Sequence, residues 1–157
     1  MNALTSPDTA AQCLVAAAEY CEALEAVVEM APGVWFVHFE TGGECLVEWA
    51  DEPRRLVVTA GVGEPTAQAR ASIHASCLTF NALWSSLGAM RLAKDDDGDQ
   101  LLLVNDLVCE GENLPVQLAN NLLRHEGLRL FWSMVIDSAT DGQSVSQSMD
   151  LLSAQRA

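Results

Sequence analysis

The sequence predicts an α+β fold in which helices cover an antiparallel sheet, in the order α-β-β-β-α-β-β-α. Near the start of the chain and again in its second half, apolar residues recur at steps of three and four, as they do in amphipathic helices. Between these regions lie runs of β-branched and aromatic residues, separated by short turns rich in Gly, Pro and Asp. Strands joined by such tight turns are antiparallel.

The first helix is predicted over residues 7–30. Ser6 can cap the free amides of its first turn, Pro7 suits the first helical position, and Asp8 complements the helix dipole. Leucine, alanine, cysteine and valine then recur at helical steps until Pro32 and Gly33 end the pattern.

Three strands are predicted next, over residues 34–40, 45–50 and 54–60. The first two flank Gly42-Gly43, which is typical of a hairpin turn, and the last two flank a turn that contains Pro53.

In the second half of the chain, the sequence predicts one helix, two strands and another helix. The helix is expected over residues 66–83, and the strands over 87–93 and 100–108, joined by an acidic turn at 94–99. Asn113-Leu114-Pro115 opens the last helix. We expect one domain over residues 1–136, followed by a flexible polar tail over residues 137–157.

Composition limits the function. The chain has 157 residues, half of them apolar, and carries 22 acidic against 8 basic side chains, which gives a net charge of −14. A nucleic-acid partner would require clustered Lys and Arg, and an anionic membrane would repel the chain.

No apolar run is long enough to span a bilayer, and the first residues lack the features of a targeting signal. Five widely spaced cysteines indicate buried thiols in a reducing cytoplasm.

No catalytic or metal site is expected, and no cofactor. His74 and Cys77 are three residues apart, and His38 could face Cys45 across the first hairpin, but two ligands do not make a zinc site. The acidic turn at 95–99 lacks the glycine position and the terminal glutamate of an EF-hand loop.

The strands carry more apolar surface than one core needs. On the first strand Trp35, Val37 and Phe39 point to one side, whereas Val34 and Phe36 point to the other. Apolar residues on both faces indicate either a covering layer from the same chain or a partner. Apolar residues of the second helix and of the last strand offer further area and favour a homodimer.

Element order, size and acidity resemble the class I type III secretion chaperones, the family typified by the Tir chaperone. The resemblance covers about residues 8–136. Three stretches carry it. The first is WFVHFE at 35–40, which leads through Gly42-Gly43 to CLVE at 45–48, and the second is LVVTAGVG at 56–63. The third is CLTFN at 77–81, which is followed by GAMRL at 88–92 and QLLL at 100–103. Length and pI also resemble the broad-specificity chaperones of plant-pathogen secretion clusters.

The resemblance implies a cytoplasmic homodimer without ATPase activity. It would hold the N-terminal regions of secreted effector proteins in extended form and deliver them to the secretion apparatus, at its ATPase. It also implies that the second helix and the later strand pair form the dimer interface, and that the first helix and first three strands contact the effector.

Each predicted contact has an ordinary core position as its alternative. The predicted effector-binding residues are Val34, Phe36, Leu46 and Val57. The predicted dimer residues are Ile73, Cys77, Trp84, Leu101 and Leu103.

Two other functions fit the sequence. One is a non-enzymatic adaptor or inhibitor that binds one folded partner protein. The other is a small hydrolase, which would need His38, His74 or His125 in a pocket with a strongly perturbed titratable group.

Overall fold

A computed structural model describes residues 3–140 of the chain. The elements in chain order are α1 (Pro7–Tyr20), β1 (Leu24–Ala31), β2 (Val34–Phe39), β3 (Glu44–Asp51), β4 (Arg54–Gly63), α2 (Arg70–Ala82), α3 (Trp84–Leu87), β5 (Arg91–Lys94), β6 (Leu101–Leu107) and α4 (Leu114–Thr140). No described helix is long and apolar enough to cross a membrane.

The six strands form one sheet in the order β1-β2-β3-β4-β6-β5, and the first four pair as antiparallel neighbours. This confirms the predicted α+β class with an antiparallel sheet and helices. The sheet has one strand more than predicted.

The additional strand lies where a long helix was expected. Helix α1 starts as predicted, with Ser6 accepting a hydrogen bond from the amide of Thr9, but it ends at Tyr20. Residues Leu24–Ala31 instead form β1, which pairs with β2 through the tight turn that contains Gly33 at φ +79°. The prediction of a helix over residues 7–30 is therefore wrong beyond Tyr20, because the β-branched residues of this segment join the sheet.

The chain divides into two compact units. The described part of the first unit comprises residues 3–60 and 104–128. Its core joins α1, strands β1–β4 and the first half of α4, and Trp35 and Phe39 are among its largest buried side chains. Glu126 of α4 is also buried, and it accepts a hydrogen bond of 2.5 Å from the Thr41 hydroxyl in the β2–β3 turn.

The described part of the second unit comprises residues 61–103 and 129–140. Phe80 of α2 packs edge-to-face on Trp132 of α4, with ring centroids 5.4 Å apart, and both side chains are fully buried. The hydroxyl of Ser133 donates a 2.8 Å hydrogen bond to the carbonyl of Val62. Helix α4 continues to Thr140, so the predicted start of the tail at residue 137 lies within this helix. The rest of the predicted tail, residues 141–157, lies outside the described residues.

Candidate functional site

Strand β2 buries one of its two faces and leaves the other partly exposed. Trp35, Val37 and Phe39 are at most 2% exposed and belong to the core of the first unit. Val34 and Phe36 alternate with them and are half-buried. The strand therefore presents apolar side chains on the side that faces away from its own core.

Strand register extends this face across three neighbouring strands. Phe36 pairs with Val28 of β1 on one side and with Leu46 of β3 on the other. Glu48, which pairs with Val34, also pairs with Val57 of β4. Because directly opposed residues share a face of the sheet, these apolar side chains lie together. We name Val28, Val34, Phe36, Leu46 and Val57 the outer sheet face.

The outer sheet face brings together all four residues that were predicted to bind an effector. Val34, Phe36, Leu46 and Val57 are half-buried, neither core nor fully exposed. Their role as contacts stays a prediction. The most exposed member, Val28 at 43%, was missed because its segment was assigned to the first helix. Adjacent Val27 and Val28 were the available signal for a strand.

Acidic side chains of β3 border the outer sheet face. Glu44 and Glu48 are exposed, and the Glu44 carboxylate lies 3.6 Å from Nδ1 of His38. The His38 and Phe36 rings lie 6.5 Å apart, centroid to centroid. The apolar area is thus flanked by charges suited to a basic partner.

A second apolar surface lies in the second unit, between α2 and β5. It is a groove of about 270 Å³, lined by His74, Cys77, Leu78, Asn81, Leu92, Ala93, Lys94 and Leu101. Leu78 is 71% exposed at its rim. Nε2 of His74 is buried and has no hydrogen-bond partner among the described residues. Burial raises the pKa of the Cys77 thiol to about 11, so the thiol stays protonated at neutral pH.

Most of the predicted dimer residues lie inside the second unit. Ile73, Leu101 and Leu103 are at most 2% exposed, and Cys77 is 7% exposed. Trp84 begins the short helix α3. Ile73, Leu101 and Leu103 therefore occupy the ordinary core positions that were the alternative for each of them, and their role as dimer contacts stays a prediction. The dimer itself stays a prediction, and Leu78 supplies exposed area that was not among the predicted contacts.

The described residues include no group of three or more His, Cys, Asp or Glu side chains that could hold a metal ion. A pocket of about 120 Å³ in the first unit is lined by Trp49, Arg54, Arg55 and neighbouring residues and contains no histidine. Of the three histidines, His38 lies beside the outer sheet face, His74 lines the groove and His125 is buried.

Comparison with known proteins finds a solved structure with a similar fold. No protein-family model matches the sequence, and no curated protein matches it significantly. A chain in the crystal structure of the ExsC–ExsE complex superposes with a TM-score of 0.64 at 14% sequence identity, over 85% of this chain and 97% of that chain. The chain has a type III secretion chaperone-like fold.

A further solved structure aligns with a lower TM-score. It is a chain of the heterodimeric ExoU–SpcU complex from the type III secretion system of Pseudomonas aeruginosa, with a TM-score of 0.43, 18% identity, and coverage of 73% of this chain and 89% of that chain. The resemblance to the broad-specificity subgroup stays a prediction.

Proposed function

We propose that this protein is a non-enzymatic chaperone of type III secretion. It binds the N-terminal region of a secreted effector protein, here the client, as an extended segment on the outer sheet face. It acts in the cytoplasm as a homodimer and delivers the client to the secretion apparatus, at its ATPase. The chaperone-like fold and the two apolar surfaces support this proposal.

The outer sheet face carries the proposal. An antiparallel sheet that turns one face to water normally alternates apolar residues inside with polar residues outside. Here Phe36 and Leu46 oppose each other on the outer face, although the inner face already fills the core. An extended peptide can cover such a face with alternate side chains, and the buried area offsets the entropy that the peptide loses on ordering.

The groove between α2 and β5 supports the homodimer. A twofold interface places the same patch of both subunits in contact, so an exposed leucine beside an apolar groove can insert into the groove of the second copy. Leu78 and the groove have this arrangement.

Client binding is tested by charging the outer sheet face. The wild-type chain, purified from its native host, is expected to carry bound proteins that mass spectrometry identifies. Phe36→Asp is expected to lose these clients while its thermal melt stays close to that of the wild type, because Phe36 is only half-buried. Val108→Asp, at a 63% exposed position after β6, introduces the same charge outside both the face and the first helix and should retain the clients.

The state of the bound protein separates the proposal from its alternative. Synthetic N-terminal segments of the clients should bind as well as the complete proteins do. A partner that binds only when it is folded would instead support the adaptor or inhibitor function. Client retention by a folded Phe36→Asp variant would contradict the proposed surface.

The dimer has a separate test. Light scattering of the wild type should give about twice the chain mass, and Leu78→Asp should give the mass of one chain. Met134→Asp, at a 67% exposed position on α4, is the matched control and should remain dimeric. A monomeric wild type would contradict the dimer but leave client binding open to its own test.

A further inference from the structure

We infer that the outer sheet face selects extended segments in which a basic, an apolar and a second basic side chain follow at alternate positions. These side chains would lie over Glu44, Leu46 and Glu48 of β3. The inference rests on the proposed function and specifies the chemistry of the client.

The three β3 residues form an acidic–apolar–acidic row on one face. They are separated by two positions each, so their side chains point to the same side of the strand. The outer two are about 13 Å apart along the strand, from a rise of about 3.3 Å per residue. An extended segment has the same spacing, so basic side chains at its first and fifth positions would reach both carboxylates while the third position covers Leu46.

Glu48 has no cation opposite it in the sheet. Its cross-strand neighbours are Val34 and Val57. Arg55, which lies diagonally from Glu48 by register, places its Nε 3.4 Å from an Asp106 carboxylate oxygen and its Nη1 2.9 Å from the carbonyl of Pro53. No ion pair of Glu48 is found within residues 3–140, so this carboxylate is available to a partner.

Glu44 remains accessible at the other end of the row. Its side chain is 63% exposed even though it lies 3.6 Å from His38. The whole chain carries a net charge of −14, which attracts basic segments over longer distances than the two exposed glutamates do. The row therefore adds a positional preference to a general attraction.

The test uses the full-length protein and fluorescent synthetic peptides of equal length and apolar content. One carries Lys at the first and fifth positions around a central Leu, and two others carry Ser or Glu there. A fourth has the composition of the first but carries its lysines three positions apart, which places them on opposite faces of an extended chain. Fluorescence anisotropy measures each Kd at about 20 and about 300 mM NaCl, because salt screens exposed charges.

The in-phase Lys peptide should bind about three- to tenfold more tightly than the Ser peptide, from two exposed ion pairs of ordinary strength. The Glu and out-of-phase Lys peptides should bind more weakly than the in-phase Lys peptide, and high salt should reduce the differences. Glu48→Gln should reduce the Lys preference, and Glu48→Lys should reverse part of it. Glu112→Gln, at an exposed acid between β6 and α4, makes the same charge change outside both the face and the first helix and should leave the preference intact.

Two failures are distinguishable. Equal binding of the Lys and Ser peptides, or equal binding of both Lys spacings, would overturn the inference while the proposed function stands. Failure of every apolar peptide to bind a folded wild type would contradict the proposed function itself.

Discussion

The side-chain amide of Asn81 in α2 makes both backbone hydrogen bonds of Leu92 in β5. Its Oδ1 accepts from the Leu92 amide at 2.8 Å, and its Nδ2 donates to the Leu92 carbonyl at 3.0 Å. Strand β5 lies at one edge of the sheet, so it has no neighbouring strand on its outer side. The Asn81 side chain makes hydrogen bonds that such a strand would otherwise make. The Leu78-x-x-Asn81 motif thus joins an exposed leucine to the residue that fixes α2 against β5.

Asn81→Ala should lower the free energy of unfolding by about 1–3 kcal/mol, because it leaves two partly buried backbone groups of Leu92 without their partners. Urea unfolding followed by circular dichroism measures the change. Thr79→Ala is the control, since the Thr79 hydroxyl donates only to the carbonyl of Ala75 within the same helix. Equal stability of the two variants would contradict the role of Asn81.

The sequence predicted the outer sheet face well because strand periodicity is local. Alternation in β2 separates Trp35 and Val37 from Val34 and Phe36 without knowledge of the fold. It does not reveal which side is the core, and that depends on helix α1, which packs with the inner side.

The sequence was less informative about the segment Leu24–Ala31 and about the dimer. Glu22, Glu25 and Glu29 follow at steps of three and four, which resembles the polar side of a helix. Their segment is a strand because β2 offers it a partner, a tertiary contact that no local pattern encodes. Likewise, the apolar stripe of Ile73 and Cys77 has the same spacing whether it packs within one chain or against a second.

Two valines of β2 test which face of the strand is the core. Val37 is fully buried, and Val37→Ala should cost about 2–3 kcal/mol from the lost methyl groups and the cavity left behind. Val34→Ala removes the same atoms from the half-buried outer sheet face and should cost less than about 1 kcal/mol. Chemical denaturation of both variants measures the difference, and equal losses would show that the outer face is covered within the chain.

Two turn glycines allow backbone strain to be separated from crowding. Gly33 and Gly42 have φ of +79° and +78°, so alanine is strained at both by about 1–2 kcal/mol. A Cβ at Gly33 would lie 3.3 Å from the Cβ of Trp49, whereas one at Gly42 would meet nothing within 4 Å. Gly33→Ala should therefore have the lower melting temperature of the two variants in differential scanning calorimetry. A lower value for Gly42→Ala would contradict the tight packing of Trp49 against the β1–β2 turn.

The cysteines should differ in reactivity towards a thiol reagent. Burial raises the pKa of the Cys13 and Cys77 thiols to about 11 and also raises that of Cys109, so few thiolates form at pH 8. Cys21 is half-buried and should react first in the native protein. Mass spectrometry after timed alkylation identifies the labelled sites, and labelling in guanidinium provides the control in which all five react alike. Early modification of Cys13 in the native protein would contradict its burial.

The same thiols predict how stability changes in alkaline solution. A thiol whose pKa is raised on folding favours the folded state while it is protonated, so its full contribution is present below the unfolded pKa of about 8.5. Above that pH the unfolded chain releases protons that the folded chain retains up to about pH 11 at Cys13 and Cys77. The free energy of unfolding should therefore fall between about pH 8.5 and pH 11. Urea titrations across this interval measure the slope, and Cys13→Ala should make it shallower. An unchanged slope in Cys13→Ala would show that this thiol titrates normally.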